Sequence, residues 1–191
     1  PVGTGTVAAL NVRLAARIDQ LRVSLKRARE VFYDPQSDFL VVNVAGFQLY
    51  HVRRGEILWR TRVQVGQPFR QTPIFKAEMT YLVVNPTWTV PPTVFRNDIL
   101  PAVRRNPAYL ASRNIDVFDS RGAAVDPAAA DWSGRNPPYR LVQRPGPDNA
   151  LGRIKFMFPN EHSVYLHDTP SRDLFSRDSR AFSSGCIRVE N

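Results

Sequence analysis

The segment Ile57-Leu58-Trp59-Arg60-Thr61-Arg62-Val63-Gln64-Val65 carries the clearest structural signal of the chain. Every second residue from Ile57 to Val65 is apolar or threonine, and the intervening residues include two arginines and a glutamine. Because side chains of a strand point alternately to opposite faces, a period of two indicates a half-buried strand of the antiparallel type. The segment therefore predicts a sheet with one face toward a hydrophobic core.

Similar short segments recur on both sides of this strand and are separated by turn-forming residues. So many short strands are typical of a β-sandwich or barrel, and we expect a mainly β fold. The further predicted strands are Leu40–Val44, Phe47–Val52, Tyr81–Val84, Ile115–Phe118, Tyr139–Gln143, Ile154–Phe158 and Ser163–His167.

Two regions depart from the strand pattern. Leu10–Arg29 has apolar residues at steps of three and four, which predicts one amphipathic helix of about five turns. Its apolar stripe is suited to packing on another module, and equally to packing on the next domain of the chain. Phe95–Arg113 predicts two short helices with Pro101 and Pro107 as breakers, and Ala123–Pro138 predicts a mobile loop that is either a lid or a decorative excursion.

The composition narrows the classes of partner. The 191 residues carry a net charge of +9, and only three of the 26 basic residues are lysines. Since the arginines are scattered rather than gathered in one basic run, nucleic acid is not predicted as a partner. An anionic polymer or acidic peptide suits such arginines better, although a solvated basic surface also explains them. No apolar run approaches the ~18 residues that cross a bilayer, so the chain is not predicted to span a membrane.

The last nine residues contain the only cysteine, Cys186. Gly185 and Arg188 on either side favour a thiolate, which is the nucleophilic form. His167 lies nineteen residues upstream, at the end of a strand whose alternation puts it on one face with Tyr165 and Ser163. A general base at that point would be held accurately and still reach solvent.

Other interpretations of these residues stay open at this point. Cys186 would serve equally as a buried structural residue, and His167 as a surface side chain bonded to Asp168 or Thr169. Gly185 can adopt positive φ and turn backbone N–H groups toward a developing oxyanion. With three histidines, one cysteine and neither a C-x-x-C nor an H-E-x-x-H motif, no metal site is predicted.

In Ser183-Ser184-Gly185-Cys186-Ile187-Arg188-Val189, with His167 upstream, the chain resembles the YkuD-type L,D-transpeptidases, cysteine enzymes that cross-link peptidoglycan. Further blocks, in the same order, resemble the large periplasmic branch known as YcbB. One departure is that many members of the family have histidine at the position of Ser184. The resemblance therefore assigns a functional role to only one histidine of this chain, His167. The matching blocks are Tyr33–Tyr50, Val65–Pro73, Asn85–Pro92 and Pro145–Gly152.

The resemblance implies a domain organisation. Residues 1–11 would end a peptidoglycan-binding repeat, residues 12–30 would form a linker or scaffold helix, and residues 31–191 would form the catalytic domain with residues 95–138 as a cap. Because the chain starts at Pro1 rather than methionine, we expect it to belong to a longer protein whose signal peptide or anchor lies elsewhere. The family implies the periplasm of a Gram-negative cell envelope.

The resemblance also implies a mechanism. Cys186 would be the nucleophile, His167 the base, and the N–H groups of Gly185 and Cys186 the oxyanion hole. The substrates would be tetrapeptide stems, joined by 3→3 cross-links between meso-diaminopimelate residues with release of D-alanine and without a metal or organic cofactor. D-amino acid exchange, lipoprotein attachment, hydrolysis and a non-catalytic wall-binding scaffold are the alternatives, and other cell-wall synthesis proteins are possible partners. Substrate contacts would come from Arg188, Ser184, Tyr165 and Ser163.

Overall fold

The computed structural model describes residues 2–31 and 38–191. The chain divides into two compact units. The first comprises Pro1–Leu40 and His51–Leu58, and the second comprises Val41–Tyr50 and Trp59–Asn191. The segment 32–37, which includes the start of the Tyr33–Tyr50 block, lies outside the described residues.

The first unit contains two helices, α1 (Thr4–Leu10) and α2 (Leu14–Val31). The single helix predicted from Leu10 is thus interrupted at residues 11–13, and Leu10 belongs to α1. The Arg17 guanidinium of α2 donates to the Ala9 carbonyl oxygen at 2.5 Å across this break. Many of the large apolar side chains that gave the helical pattern are exposed, including Leu14, Leu21 and Leu25. Within the described residues no helix is both long and apolar enough to cross a membrane.

The main sheet has the strand order β1-β2-β3-β12-β10-β9-β4, with β11 paired to β3. Its strands are β1 (Asp38–Asn43), β2 (Gln48–Arg53), β3 (Glu56–Gly66), β4 (Tyr81–Val84), β9 (Ile154–Met157), β10 (Leu166–His167), β11 (Ala181–Ser183) and β12 (Ile187–Val189).

Strand β3 confirms the predicted strand but not burial along its whole length. Thr61, Val63 and Val65 are at most 5% exposed, whereas Ile57 and Trp59 are 62% and 39% exposed. The buried half of β3 pairs antiparallel with β12 and parallel with β11. The apolar side chains packed around it are Leu49, Val63, Val65, Phe158, Val164, Leu166, Ile187 and Val189.

A second sheet has the order β5-β8-β6-β7 and its own hydrophobic core. Its strands are β5 (Trp88–Thr89), β6 (Ile115–Phe118), β7 (Ala124–Val125) and β8 (Arg140–Gln143). We call residues Trp88–Gln143 the small-sheet subdomain. It includes residues on both sides of the predicted cap of residues 95–138. Apart from α1 and α2, the described residues form two sheets and only short helices. The predicted mainly β fold is therefore confirmed.

The helices of the small-sheet subdomain lie between β5 and β6. They are α3 (Pro92–Val94), a π-helical turn (Phe95–Ile99), α4 (Leu100–Arg105) and α5 (Ala108–Ser112). The predicted break at Pro101 is wrong, because this proline lies in the first turn of α4, where the missing N–H costs little. Pro107 does separate α4 from α5, as predicted.

The segment predicted to be a mobile loop, Ala123–Pro138, is packed into this subdomain. Trp132 is only 8% exposed, and its indole N–H donates to the Pro127 carbonyl oxygen at 2.9 Å. The Arg104 guanidinium donates to three successive carbonyl oxygens of the segment, beginning with that of Trp132 at 2.8 Å. Trp132 and the Arg104 hydrogen bonds attach this segment to the subdomain, although most of its residues are exposed, and its mobility stays a prediction.

Candidate active site

Strand β10 lies between β9 and β12, and this order sets the surroundings of His167. His167 pairs with Lys155 on β9, which is antiparallel, and with Arg188 on β12, which is parallel. The three residues therefore form a row across the sheet, with the imidazole between two cationic residues. The predicted strands Ile154–Phe158 and Ser163–His167 correspond to β9 and β10, which pair antiparallel, but β10 is shorter than predicted, and Ser163 has a positive φ of 55°.

His167 is buried, with 4% of its surface exposed. The prediction that it would reach solvent from a strand end is wrong, because strands flank it on both sides. Its Nδ1 lies 2.5 Å from the Asp168 carbonyl oxygen, which can only accept; this assigns the proton to Nδ1 and leaves the lone pair on Nε2. Burial, reinforced by Arg188 and Lys155, lowers the pKa of His167 from 6.5 to about 4. The imidazole is therefore neutral at neutral pH.

Asp168, whose carbonyl oxygen fixes this tautomer, is itself held by several contacts. The Asp168 carboxylate accepts the backbone N–H of Arg153 at 2.8 Å and pairs with the Arg172 guanidinium at 2.8 Å. A Cβ on Gly152 would lie 2.4 Å from the carboxylate oxygen, so this close packing requires glycine. The Asp168 carbonyl consequently has a defined position for the imidazole of His167.

Cys186 immediately precedes β12 and is a free, half-buried thiol. Its Sγ lies 3.8 Å from the Ser163 carbonyl oxygen. Burial raises the pKa of Cys186, and this outweighs hydrogen bonds from the backbone N–H and hydroxyl of Tyr165 and the charges of Lys155 and Arg188, all of which lower it. The prediction of a resting thiolate is therefore wrong: desolvation keeps the proton on sulfur.

Tyr165 connects the predicted nucleophile and base. Its ring lies 5.8 Å from the His167 ring, between centroids, and its side chain interacts with Cys186. Burial, followed by the negative charge that Cys186 carries when it is ionised, raises the pKa of Tyr165, so the phenol remains protonated. The Lys155 ammonium lies 3.8 Å from the centre of the Tyr165 ring, in cation–π contact. Sequence reasoning missed Lys155, because only the observed register of β9 and β10 places it opposite His167.

The nucleophile loop, Ser183–Cys186, depends on an internal hydrogen-bond pattern. Gly185 has φ +120°, a conformation that favours glycine. Its N–H donates to Ser183 Oγ at 3.1 Å, and the same hydroxyl donates to the Cys186 carbonyl oxygen at 2.5 Å. The Gly185 N–H is thus engaged, contrary to its predicted oxyanion role, whereas the Cys186 N–H has no protein partner among residues 38–191.

A neighbouring loop, Gln67–Thr72, holds the nucleophile loop in place. The Thr72 hydroxyl donates to the Gly185 carbonyl oxygen at 2.7 Å and accepts the Gly66 N–H at 2.9 Å. The Gln67 N–H donates to the Ser183 carbonyl oxygen at 3.0 Å. These supporting residues fall in the Val65–Pro73 block, but nothing in their spacing identified their role.

Two predicted substrate contacts are already occupied by protein groups. Arg188 Nη1 donates to Gln64 Oε1 at 3.1 Å, and Gln64, which is fully buried, donates to the Ser171 carbonyl oxygen at 3.1 Å. Arg188 Nε, by contrast, has no partner among the described residues. The Ser184 side chain is exposed and accepts Arg70 Nη1 at 2.9 Å.

The site thus combines a neutral thiol, a neutral imidazole with a free Nε2 lone pair, a protonated phenol and two cationic side chains. Such a set suits nucleophilic attack by sulfur on a carbonyl carbon, with the imidazole as proton acceptor and the cations near the charge that develops. Among residues 2–31 and 38–191, no three His, Cys, Asp or Glu side chains are grouped so that they could hold a metal ion.

Comparison with known proteins agrees with this chemistry. A protein of Haemophilus influenzae, provisionally named as an L,D-transpeptidase, is 41% identical over 153 residues, which are 79% of this chain and 31% of the relative. The chain therefore spans less than a third of that relative's length. Residues 37–191 match the family model described as the YkuD L,D-transpeptidase catalytic domain. Since this match covers most of the chain and contains both Cys186 and His167, the chain belongs to the YkuD family of L,D-transpeptidases.

Proposed function

We propose that this protein forms 3→3 cross-links between meso-diaminopimelate residues of peptidoglycan through an acyl-enzyme on Cys186. The observation that supports this most is the fixed tautomer of His167. Its Nδ1–H is directed at the Asp168 carbonyl oxygen, so Nε2 can take up a proton, and Tyr165 contacts both this ring and Cys186.

In the proposed first half-reaction, His167 Nε2 takes the thiol proton as Cys186 Sγ attacks the carbonyl carbon of the third stem residue. The oxyanion is stabilised by the Cys186 N–H and by the charges of Lys155 and Arg188. When the intermediate collapses, the C–N bond to D-alanine breaks, and the imidazolium returns its proton to the departing amine. A thioester on Cys186 and neutral His167 remain.

In the second half-reaction, the side-chain amine of another stem attacks the thioester carbon. His167 accepts the proton of this amine, the new C–N bond forms, and the C–S bond breaks. The imidazolium then reprotonates the Cys186 sulfur, so that the site returns to its starting state. Every proton moves between groups of the substrate and this chain, and the sequence of steps uses no cofactor.

The location and partners of the protein belong to the same proposal. We propose that the protein works in the periplasm of a Gram-negative cell, as the family resemblance implies. The stem carboxylates suit a chain in which arginines dominate the 26 basic residues. Residues 1–11 would end a peptidoglycan-binding repeat, and α2 would link that repeat to the catalytic domain.

The proposal is tested with a disaccharide-tetrapeptide substrate and mass spectrometry of the products. We expect a cross-linked dimer lighter than two monomers by one D-alanine, and no product with Cys186→Ala. Addition of a D-amino acid tests the exchange alternative, because it would yield a modified monomer instead. Tripeptide alone would indicate hydrolysis.

A carbapenem serves as an independent acylating probe of Cys186. We expect a covalent adduct on the intact protein that is absent in Cys186→Ala. His167→Ala should slow adduct formation by about 100-fold or more, as loss of a general base does, whereas His162→Ala, a substitution in an exposed turn, should not. An adduct of unchanged rate in folded His167→Ala would remove His167 from the base role.

A further inference from the structure

The guanidinium of Arg70 joins the nucleophile loop to the small-sheet subdomain. Arg70 Nη1 lies 2.7 Å from one Asp98 carboxylate oxygen, and Nη2 lies 3.3 Å from the other. The same Nη1 donates to Ser184 Oγ at 2.9 Å. One side chain therefore makes a two-point contact with a carboxylate and a hydrogen bond to a residue two positions before Cys186.

Asp98 is positioned by a well-packed part of the small-sheet subdomain. It lies in the π-helical turn Phe95–Ile99, whose end residues Phe95 and Ile99 are 7% and 4% exposed in the hydrophobic core. A carboxylate on a turn anchored at both ends has little freedom to follow a moving partner. Asp98 therefore gives Arg70 a fixed point of attachment.

The backbone of Arg70 is fixed as well. Its N–H donates to the Gln67 carbonyl oxygen at 2.8 Å, and its own carbonyl oxygen is packed so closely on Gly66 that a Cβ there would lie 2.2 Å away. The Arg70 side chain is 19% exposed, against 49% for Asp98. With its backbone and carboxylate partner both held, the guanidinium has a defined position beside Ser184.

The Ser184 contact matters because Ser184 lies two residues before the nucleophile. Between them Gly185 adopts φ +120°, and Cys186 begins the segment that enters β12. The Gly185 carbonyl oxygen accepts from Thr72 of the neighbouring loop, and the Cys186 carbonyl oxygen accepts from Ser183. Ser184 is exposed, and its hydroxyl is held from outside the loop by Arg70.

We propose that Arg70 is a positioning residue for acyl transfer, which holds the nucleophile loop through Ser184 while Asp98 holds Arg70. This inference rests on the proposed function of Cys186 as nucleophile. In this arrangement the orientation of Cys186 toward a bound stem depends on the small-sheet subdomain, although that subdomain supplies neither the nucleophile nor the base. Arg70 acts through Ser184 and touches none of the reacting atoms.

The test compares carbapenem acylation with alkylation of Cys186 by iodoacetamide across pH. Acylation needs the sulfur and the oxyanion donor in a set geometry, and a misplacement of about 1 Å costs up to ~100-fold. We expect Arg70→Met to slow acylation by about 10- to 100-fold. The pH midpoint of alkylation should stay unchanged, because Arg70 is not among the groups that set the pKa of Cys186.

A double-mutant cycle shows whether the effect passes through Ser184. Ser184→Ala should slow acylation, and adding Arg70→Met to it should cost at most twofold more, because both substitutions break one contact. Arg70→Lys keeps the charge but loses the planar fork, so it should fall between wild type and Arg70→Met. If Arg70→Met does not fold, the exposed substitutions Ser184→Ala and Asp98→Asn carry the test, and each should slow acylation at least threefold.

A second arginine–aspartate pair provides a matched control. Arg144 makes a two-point contact with Asp116 in the small-sheet subdomain, at 2.7 and 2.6 Å. Arg144→Met should leave acylation within twofold of wild type. Acylation of folded Arg70→Met within twofold of wild type, or additive effects of Arg70→Met and Ser184→Ala, would overturn the inference. Failure of the wild-type chain to acylate would instead overturn the proposed function.

Discussion

Replacing the buried imidazole by His167→Gln should change the pH dependence of folding stability. The pKa of His167 is lowered from 6.5 to about 4, first by burial and then by Arg188 and Lys155. In the unfolded chain the same group takes up a proton near pH 6.5, so the unfolded state binds more protons between the two values. Acid therefore destabilises the folded state through His167. This loss begins near pH 6.5 and is complete below about pH 4.

The size of the effect is set by the two pKa values. One pH unit of difference is worth about 1.4 kcal/mol, so the full contribution is about 3 kcal/mol, of which about 2 kcal/mol is lost between pH 7.5 and pH 5.0. Urea unfolding at these two pH values, monitored by tryptophan fluorescence, to which buried Trp132 contributes, measures this difference. From pH 7.5 to pH 5.0, the free energy of unfolding of wild type should fall by about 2 kcal/mol more than that of His167→Gln.

Each protein is compared with itself at two pH values. The loss of stability that the substitution itself causes in the core therefore cancels. His162→Gln is the matched control; it leaves His167 in place and should retain the wild-type pH dependence. Equal pH dependence in wild type and His167→Gln would refute the buried, neutral imidazole. The same pKa predicts the pH dependence of activity. The rate of carbapenem acylation should not decline at pH 5.5, as it would for a base with a pKa of 6.5.

Two further substitutions test the packing and the charges around the site. Gly66→Ala should lower the free energy of unfolding by more than about 2 kcal/mol, because its Cβ would lie 2.2 Å from the Arg70 carbonyl oxygen. In the same chemical denaturation assay Gly134→Ala, which meets nothing within 4 Å, should stay within about 0.5 kcal/mol of wild type. Lys155→Met should move the alkylation midpoint of Cys186 to higher pH while Lys155→Arg keeps it, since the lysine charge lowers this pKa; an unchanged midpoint in Lys155→Met would contradict the charge argument.

Most strands of the fold could be predicted from the sequence because alternation is a local signal. The predicted bounds of Tyr81–Val84 and Ile115–Phe118 agree with β4 and β6. Strands β11 and β12 were missed, because each has three residues and pairs with a β3 that lies more than a hundred residues earlier. Three residues give no measurable period, and non-local pairing leaves no trace in the segment itself.

The candidate pair Cys186 and His167 could be predicted from residue type and family resemblance, but its electrostatic state could not. A glycine and an arginine beside Cys186 indicated a thiolate, because sequence shows which charges are near and not how deeply a group is buried. The order β9-β10-β12 buries His167 and the thiol together. The same order places Lys155 opposite His167, a role that only strand register reveals.

The buried pair constrains how the proposed acylation begins. Burial raises the pKa of the Cys186 thiol and lowers that of the His167 imidazole, so complete proton transfer between them before attack is unfavourable. A resting thiolate–imidazolium pair is therefore not the starting state of the proposed reaction. The cost is smallest when sulfur attacks as the proton leaves, because Lys155 and Arg188 then stabilise charge on the oxyanion. In the proposed reaction the resulting imidazolium, destabilised by the same cations, is a strong acid that would protonate the departing amine of D-alanine.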